Sequence, residues 1–272
     1  SFLHYIENFT DKISDLTKKF NISSIGIGAP NFDSGSNTFC PVNFNWPDVS
    51  PFNLEQHLEH EVSIPTSVVN DANAVALAEN RYGIGRHVNS FVIITIGTGL
   101  GAGIVINNHL FDGAYGYAGE FGHTKVEGID RICNCGGVGC LETVVSANGI
   151  KCTIAQKLNL NSAEEAPSVK SIFEKAKKGD VVCKKTLEYT FQVLGKKLSD
   201  LIHILTPEAI TFCGNISKSL DTYIPLIKKE CERNLLNNMR EKTNYIVSGL
   251  LDQKMNLLGP ASLAFNKKLD FV

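Results

Sequence analysis

The chain is 272 residues long, 43% hydrophobic and 20% charged, and its 26 Lys and Arg against 28 Asp and Glu leave a formal net charge of -2. That length supports one large domain or two modest lobes, each with its own core. The near balance of charge excludes the electrostatic footprint of a nucleic-acid binder or of a protein held on an anionic membrane, and points to a small-molecule partner.

The chain opens with apolar side chains at Tyr5, Ile6, Phe9, Ile13, Leu16 and Phe20, the three-or-four spacing of an amphipathic helix. Residues 22–27 read as a strand that stops at Gly28-Ala29-Pro30-Asn31, where small and constrained residues either turn the backbone or bring it close to a ligand. A Pro- and Asn-rich stretch over 41–51 precedes a short helix near 52–60 and a second strand over 64–69. At Asn70-Asp71-Ala72-Asn73 the pattern switches to the Ala-rich helical run 74–79. Asp71 at that junction suits an N-cap; it also stands at a strand's carboxyl end, where α/β proteins place their ligands.

Residues 91–96, Gly97-Thr98-Gly99-Leu100-Gly101 and residues 102–106 read as strand, glycine loop and strand. A dinucleotide fingerprint or P-loop needs a helix after its glycines, so neither applies. A glycine-tipped hairpin can still wrap phosphate with its amides and the Thr98 hydroxyl, or be an ordinary hairpin tip. Next comes His123…Cys133-x-Cys135-Gly-Gly-x-Gly-Cys140-x-Glu142, one imidazole and three thiols within eighteen residues. Zinc favours tetrahedral nitrogen and sulfur ligation, and this spacing lets one loop wrap the ion with four protein ligands, a closed structural site. Glycines 136, 137 and 139 are expected to supply the positive φ of a tight wrap. Free buried thiols or disulfides are the alternatives, but Cys-x-Cys pairs rarely close on themselves. Of eight cysteines, the five outside the cluster are an odd number, which argues for a reducing, cytoplasmic setting. No basic segment followed by a long apolar run opens the chain, and residues 91–96 are too few to span a bilayer. Glu120 and Glu142 flank the cluster, so folding it around zinc fixes two carboxylates near His123.

Beyond Glu142 the chain reads as mostly helical, with Leu187, Phe191, Leu194, Leu198 and Leu201 forming a core stripe. Residues 209–213 read as a strand ending in Gly214-Asn215, and 245–248 as another. Gly259-Pro260-Ala261-Ser262 opens a last helix with small residues suited to close approach of a ligand, of backbone or of a neighbouring helix.

The series Gly28-Ala29-Pro30, Asn70-Asp71-Ala72-Asn73, Gly97-Thr98-Gly99-Leu100-Gly101, Ala118-Gly119-Glu120-x-Gly122-His123 and Cys133-x-Cys135-Gly136-x-x-Gly139-Cys140-x-Glu142 closely resembles the ROK family of sugar kinases and sugar-responsive repressors. The likeness runs from near residue 22 to the end. It implies an α/β, two-lobed fold of the actin and hexokinase (ribonuclease H-like) type with a structural zinc loop, sugar and ATP meeting in the cleft. Residues 1–89 and a C-terminal helix at 260–272 would form the smaller lobe, and 90–259 the larger. The resemblance makes Asp71 the general base and assigns Asn70, Glu120, His123 and Glu142 to sugar hydroxyls. It makes His123, Cys133, Cys135 and Cys140 the zinc ligands. Gly97, Thr98, Gly99 and Gly101 correspond to the second phosphate loop, and Gly214 with Asn215 to the adenosine contact, where the family more often has two glycines. The implied partners are a hexose or N-acetylhexosamine, ATP with magnesium, and a second copy in a homodimer.

The family opens with a strand and an Asp-x-Gly-Gly-Thr loop for ATP phosphates and magnesium, and this sequence starts after the place where that segment belongs. A truncated chain, strands encoded elsewhere, or sugar binding without efficient phosphoryl transfer all fit that departure. The leading expectation is an ATP-dependent, glucokinase-like hexose kinase. The alternative is a non-catalytic sugar sensor.

Overall fold

The computed structural model describes residues 2–30, 32–39, 50–247 and 255–269. Its contacts divide the chain into two compact units, one of residues 1–87, 103–119 and 252–272, the other of 88–102 and 120–251.

In the first unit, α1 (Phe2–Lys19) follows the opening apolar stripe and buries Phe2 and Ile6. Strand β1 (Ile25–Ala29) starts later than the sequence pattern suggested. The short hairpin of β2 (Phe32–Asp33) and β3 (Thr38–Phe39) has only two residues per strand, too few to leave a periodic signal. Helix α2 (Leu54–Val62) is capped by Asn53, whose Oδ1 accepts from the Gln56 N–H at 2.8 Å. Strand β4 (Thr66–Asn70) runs parallel to β1, with Ile25 opposite Thr66 and Ala29 opposite Asn70. Two carboxylates of α2 accept β4 amides, Glu55 from Val68 at 2.6 Å and Glu59 from Thr66 at 2.9 Å. The core joins α1, α2 and the strands through Phe2, Ile6, Phe32, Phe39, Leu58 and Val68. Helix α3 (Asp71–Tyr82) leaves the carboxyl end of β4 without an intervening loop. Of the Pro- and Asn-rich stretch, residues 41–49 lie outside the described residues, as does Asn31.

The second unit begins on β5 (Phe91–Ile96), buried along almost its whole length. Strand β6 (Leu100–Ile106) returns from the glycine tip, so Gly101 lies in the strand and the tip itself is residues 97–99. β6 carries the chain back into the first unit, where it pairs with β7 (His109–Leu110) across Asn107 and Asn108 at φ 52° and 65°. Helices α4 (Glu142–Val145), α5 (Ala147–Lys157), α6 (Val169–Lys177) and α7 (Val181–Leu205) then confirm the helical reading. Leu187, Phe191, Leu194 and Leu198 of the α7 stripe are fully buried. Strand β8 (Ala209–Cys213) lies parallel to β5, α8 (Ile224–Asn234) packs on α7, and β9 (Asn244–Val247) is parallel to β8. Residue 248 lies outside the described residues.

Helix α9 (Met255–Leu269) returns to the first unit. It starts a turn before Gly259, so Gly259-Pro260 sit within the helix and do not open it. Their small size serves backbone packing: a Cβ on Gly259 would overlap the Ala74 carbonyl of α3, and one on Gly26 would overlap the Pro260 carbonyl.

Candidate functional site

The second unit gathers the Cys-His cluster into one knuckle. His123, Cys133, Cys135 and Cys140 present ligand atoms that all lie within 4.8 Å of one another. Cys133 Sγ is 3.7 Å from His123 Nδ1, and Cys135 Sγ is 3.7 Å from Cys140 Sγ. A tetrahedral zinc with sulfur at its usual bond length sets ligand–ligand edges of about 3.8 Å, so the donor set fits the ion in type, number and spacing. The described cysteines all carry free thiols.

Backbone hydrogen bonds build the knuckle. Cys133 N–H donates to Gly137 O at 2.8 Å, Gly136 N–H to Cys133 O at 2.9 Å, and Gly139 N–H to Arg131 O at 2.9 Å. Gly136 and Gly139 take φ of 82° and 73°, as expected of a tight wrap; Gly137 does not adopt positive φ, which corrects the reading of all three glycines. Its side-chain position is instead filled by a neighbour, since a Cβ there would stand 2.6 Å from Lys125 Nζ. Lys125 Nζ donates to Cys140 Sγ at 3.2 Å. Arg131 ties the knuckle to α4 and α5, donating to Thr143 O at 2.7 Å, Thr153 Oγ1 at 3.0 Å and Gln156 Oε1 at 2.7 Å. Sequence reasoning passed over both cations, because a lone Lys or Arg in a loop carries no spacing signal.

As free thiols the two sulfurs differ: burial pushes Cys133 up to about 12, while the Gly137 amide holds Cys135 below its ordinary value. His123 turns Nδ1 to the thiols and Nε2 to Glu120 Oε2, 3.5 Å away. A metal on Nδ1 would leave the proton on Nε2, available to a carboxylate or a sugar oxygen. Glu142 reaches from α4 to the glycine tip: Oε2 accepts the Leu100 N–H at 2.9 Å, and Oε1 lies 3.6 Å from Cys133 Sγ. A Cβ on Gly99 would meet Glu142 Oε2 at 2.7 Å, so the tip passes directly over this carboxylate.

Gly97 O accepts from Ala147 N–H at 2.8 Å and Gly97 N–H donates to Gly99 O at 3.0 Å, which leaves Thr98 and Gly99 exposed at the tip. Gly214, at the end of β8, has φ 95° and backs onto the Ile96 carbonyl at the end of β5; Asn215 beside it is exposed. The second unit thus brings together the Cys-His knuckle, Glu120, His123, Glu142, the glycine tip and the Gly214 turn.

Asn70 and Asp71 belong to the first unit. The capping task falls to Asn70, whose Oδ1 accepts from Ala72 N–H at 2.9 Å and Asn73 N–H at 3.3 Å, leaving its NH2 group to donate to a ligand. Asp71 Oδ1 also accepts from Ala72 N–H, at 2.8 Å. The side chain keeps an exposed face, yet protein packed around the rest of it withholds water and pushes its carboxyl above the ordinary carboxylate value.

The model of the ROK family matches residues 2–267 of this sequence. The chain belongs to the ROK family. A glucokinase from Halalkalibacterium halodurans is 34% identical over 246 residues, which cover 85% of this chain and 73% of that protein. A xylose repressor from Caldicellulosiruptor bescii is 29% identical over 263 residues, 92% of this ROK chain and 64% of the repressor. A ROK family glucokinase from Streptomyces griseus, solved in complex with glucose and AMPPNP, superposes with a TM-score of 0.77 at 29% identity over 96% of this chain and 88% of that one. The mixed α/β fold is that of the ROK hexokinases. Among the described residues, no helix is long and apolar enough to cross a membrane.

Proposed function

We propose that this ROK protein phosphorylates a hexose hydroxyl with ATP and magnesium, in the manner of a glucokinase. The observation that carries the reading is Asp71: a carboxylate at the junction of β4 and α3, with a raised proton affinity and an exposed face. A sugar hydroxyl is a poor nucleophile, and a carboxylate of raised affinity is a better acceptor for its proton. In the proposed step the hydroxyl proton passes to Asp71, the freed oxygen attacks the γ-phosphorus, and the bond from that phosphorus to the β,γ-bridging oxygen breaks to release ADP. Asn70, Glu120, His123 and Glu142 hold sugar hydroxyls; a buried acceptor deprived of its donor costs about 1–3 kcal/mol, which lets such a set distinguish hydroxyl orientation. Gly97, Thr98, Gly99 and Gly101 receive phosphate, and Gly214 with Asn215 the adenosine. Zinc, held by His123, Cys133, Cys135 and Cys140, would be structural, fixing His123 and Glu142 in register. A homodimer completes the proposal.

The repressor relative supports a second reading, a sugar sensor that uses the same pocket to bias a conformation. One experiment separates them: ATP consumption with magnesium and a panel of hexoses and N-acetylhexosamines, the product identified by mass spectrometry. Sugar phosphate from the wild type and none from Asp71→Asn, with sugar affinity retained, is the kinase outcome. Full turnover by Asp71→Asn refutes the assignment of the base, and saturable sugar binding without product favours the sensor.

A further inference from the structure

We propose that Lys125 is the counter-cation of the Cys-His site: its ammonium balances the surplus thiolate charge at Cys135 and Cys140 and sets how firmly the site holds zinc. The inference rests on the zinc reading above and adds a residue that supplies no ligand atom.

Three observations place the ammonium by construction. Lys125 Nζ donates to Cys140 Sγ at 3.2 Å. Lys125 and Cys140 face each other as an antiparallel bridge, flanked by Val126 N–H to Gly139 O at 2.8 Å and Leu141 N–H to Thr124 O at 2.9 Å, so the knuckle's own backbone sets the register of the Lys. Gly137 leaves the room that the ammonium fills: a Cβ would lie 2.6 Å from Nζ and 3.4 Å from both Cys135 Sγ and Cys140 Sγ. Gly137 does not sit at positive φ, so its backbone does not require glycine, and a methyl added there would displace the ammonium.

Charge supplies the reason. Three thiolates and a neutral imidazole on a divalent ion leave one surplus negative charge, delocalised over the sulfurs. A single ammonium within hydrogen-bond reach cancels it and draws on the lone pairs of Cys140. Arg131, the other cation of the knuckle, spends its guanidinium on Thr143, Thr153 and Gln156. Lys125 is exposed as a residue, so its removal does not open the core.

The test uses the full chain, with zinc content measured first and transfer of zinc to excess chelating dye then followed in the wild type, Lys125→Met, Lys125→Arg and Gly137→Ala. Lys125→Met keeps the stem and loses the charge; it is expected to release zinc about 10-fold faster, the low end of what loss of a ligand's hydrogen-bond partner costs. Lys125→Arg should stay near the wild type. Gly137→Ala, which crowds the ammonium off the sulfur, should move in the direction of Lys125→Met. Alkylation of Cys140 by iodoacetamide, located by mass spectrometry, should rise alongside, because the sulfur lone pairs are no longer engaged. Equal release rates for Lys125→Met and the wild type, both zinc-loaded, overturn the role of Lys125 and leave the zinc reading intact. A wild type that binds no zinc overturns both.

Discussion

Asp71 stands at the first position of α3, an exposed carboxylate with protein packed around the rest of it. The sequence offers two side chains at the start of α3, and the backbone geometry makes Asn70 the N-cap, with the Asp71 carboxylate sharing its Ala72 N–H. The raised proton affinity of Asp71 has a consequence for stability. A carboxyl whose folded-state affinity lies above the unfolded one stabilises the fold in its protonated form, a contribution complete below the ordinary value of 3.8 and lost as pH rises through the raised one. Asp71→Asn is therefore expected to melt higher than the wild type by a margin that grows as pH rises from the ordinary carboxylate value of 3.8 through the raised one. The margin will be small, because water reaches one face of the side chain. Thermal melts across that range check it, and a margin that shrinks with pH contradicts the assignment. On the proposed reading, with Asp71 as the base, the same shift should move the ascending limb of kcat/KM to higher pH than an ordinary Asp would give.

The elements that carried a long periodic pattern were legible in the sequence: α1, the α7 stripe and the apolar runs of β5 and β8 fall where the residues put them. The hairpin of β2 and β3 was not, because two residues per strand hold no period. The start of α9 was misplaced for a different reason. Pro usually marks the first turn of a helix, yet Pro260 stands inside α9, where Gly259 admits the Ala74 carbonyl of α3 and tertiary packing outweighs the local preference. Gly259→Ala forces α9 away from α3 and is expected to cost about 1–3 kcal/mol, the range for overpacking a filled core. A lowered urea midpoint with an unchanged slope would bear this out; an unchanged midpoint would mean that α9 is not held there.

At the scale of the whole molecule, the Cys-His knuckle is a segment built from loop and turns. On the proposed zinc reading, four ligands would replace the apolar core that such a segment lacks, so removal of the ion should be felt as loss of structure. Chelation is expected to lower the melting temperature and expose Cys133 and Cys140, both buried here, to thiol reagents. Unchanged melting after verified metal loss contradicts a structural role. By itself the sequence carried the alternation of strands and helices, the Cys-His cluster and the glycine tip, each written in residue type at short spacing, while the resemblance to the ROK family implied the two-lobed α/β class and nominated Asp71 as the base. Only the tertiary structure decided that residues 103–119 pack with the first unit, that Gly137 makes room for Lys125, and that Glu142 joins the knuckle to the glycine tip. Those are contacts between segments, where the deciding quantity is the space and charge one segment leaves for another, and no local pattern in either segment records it.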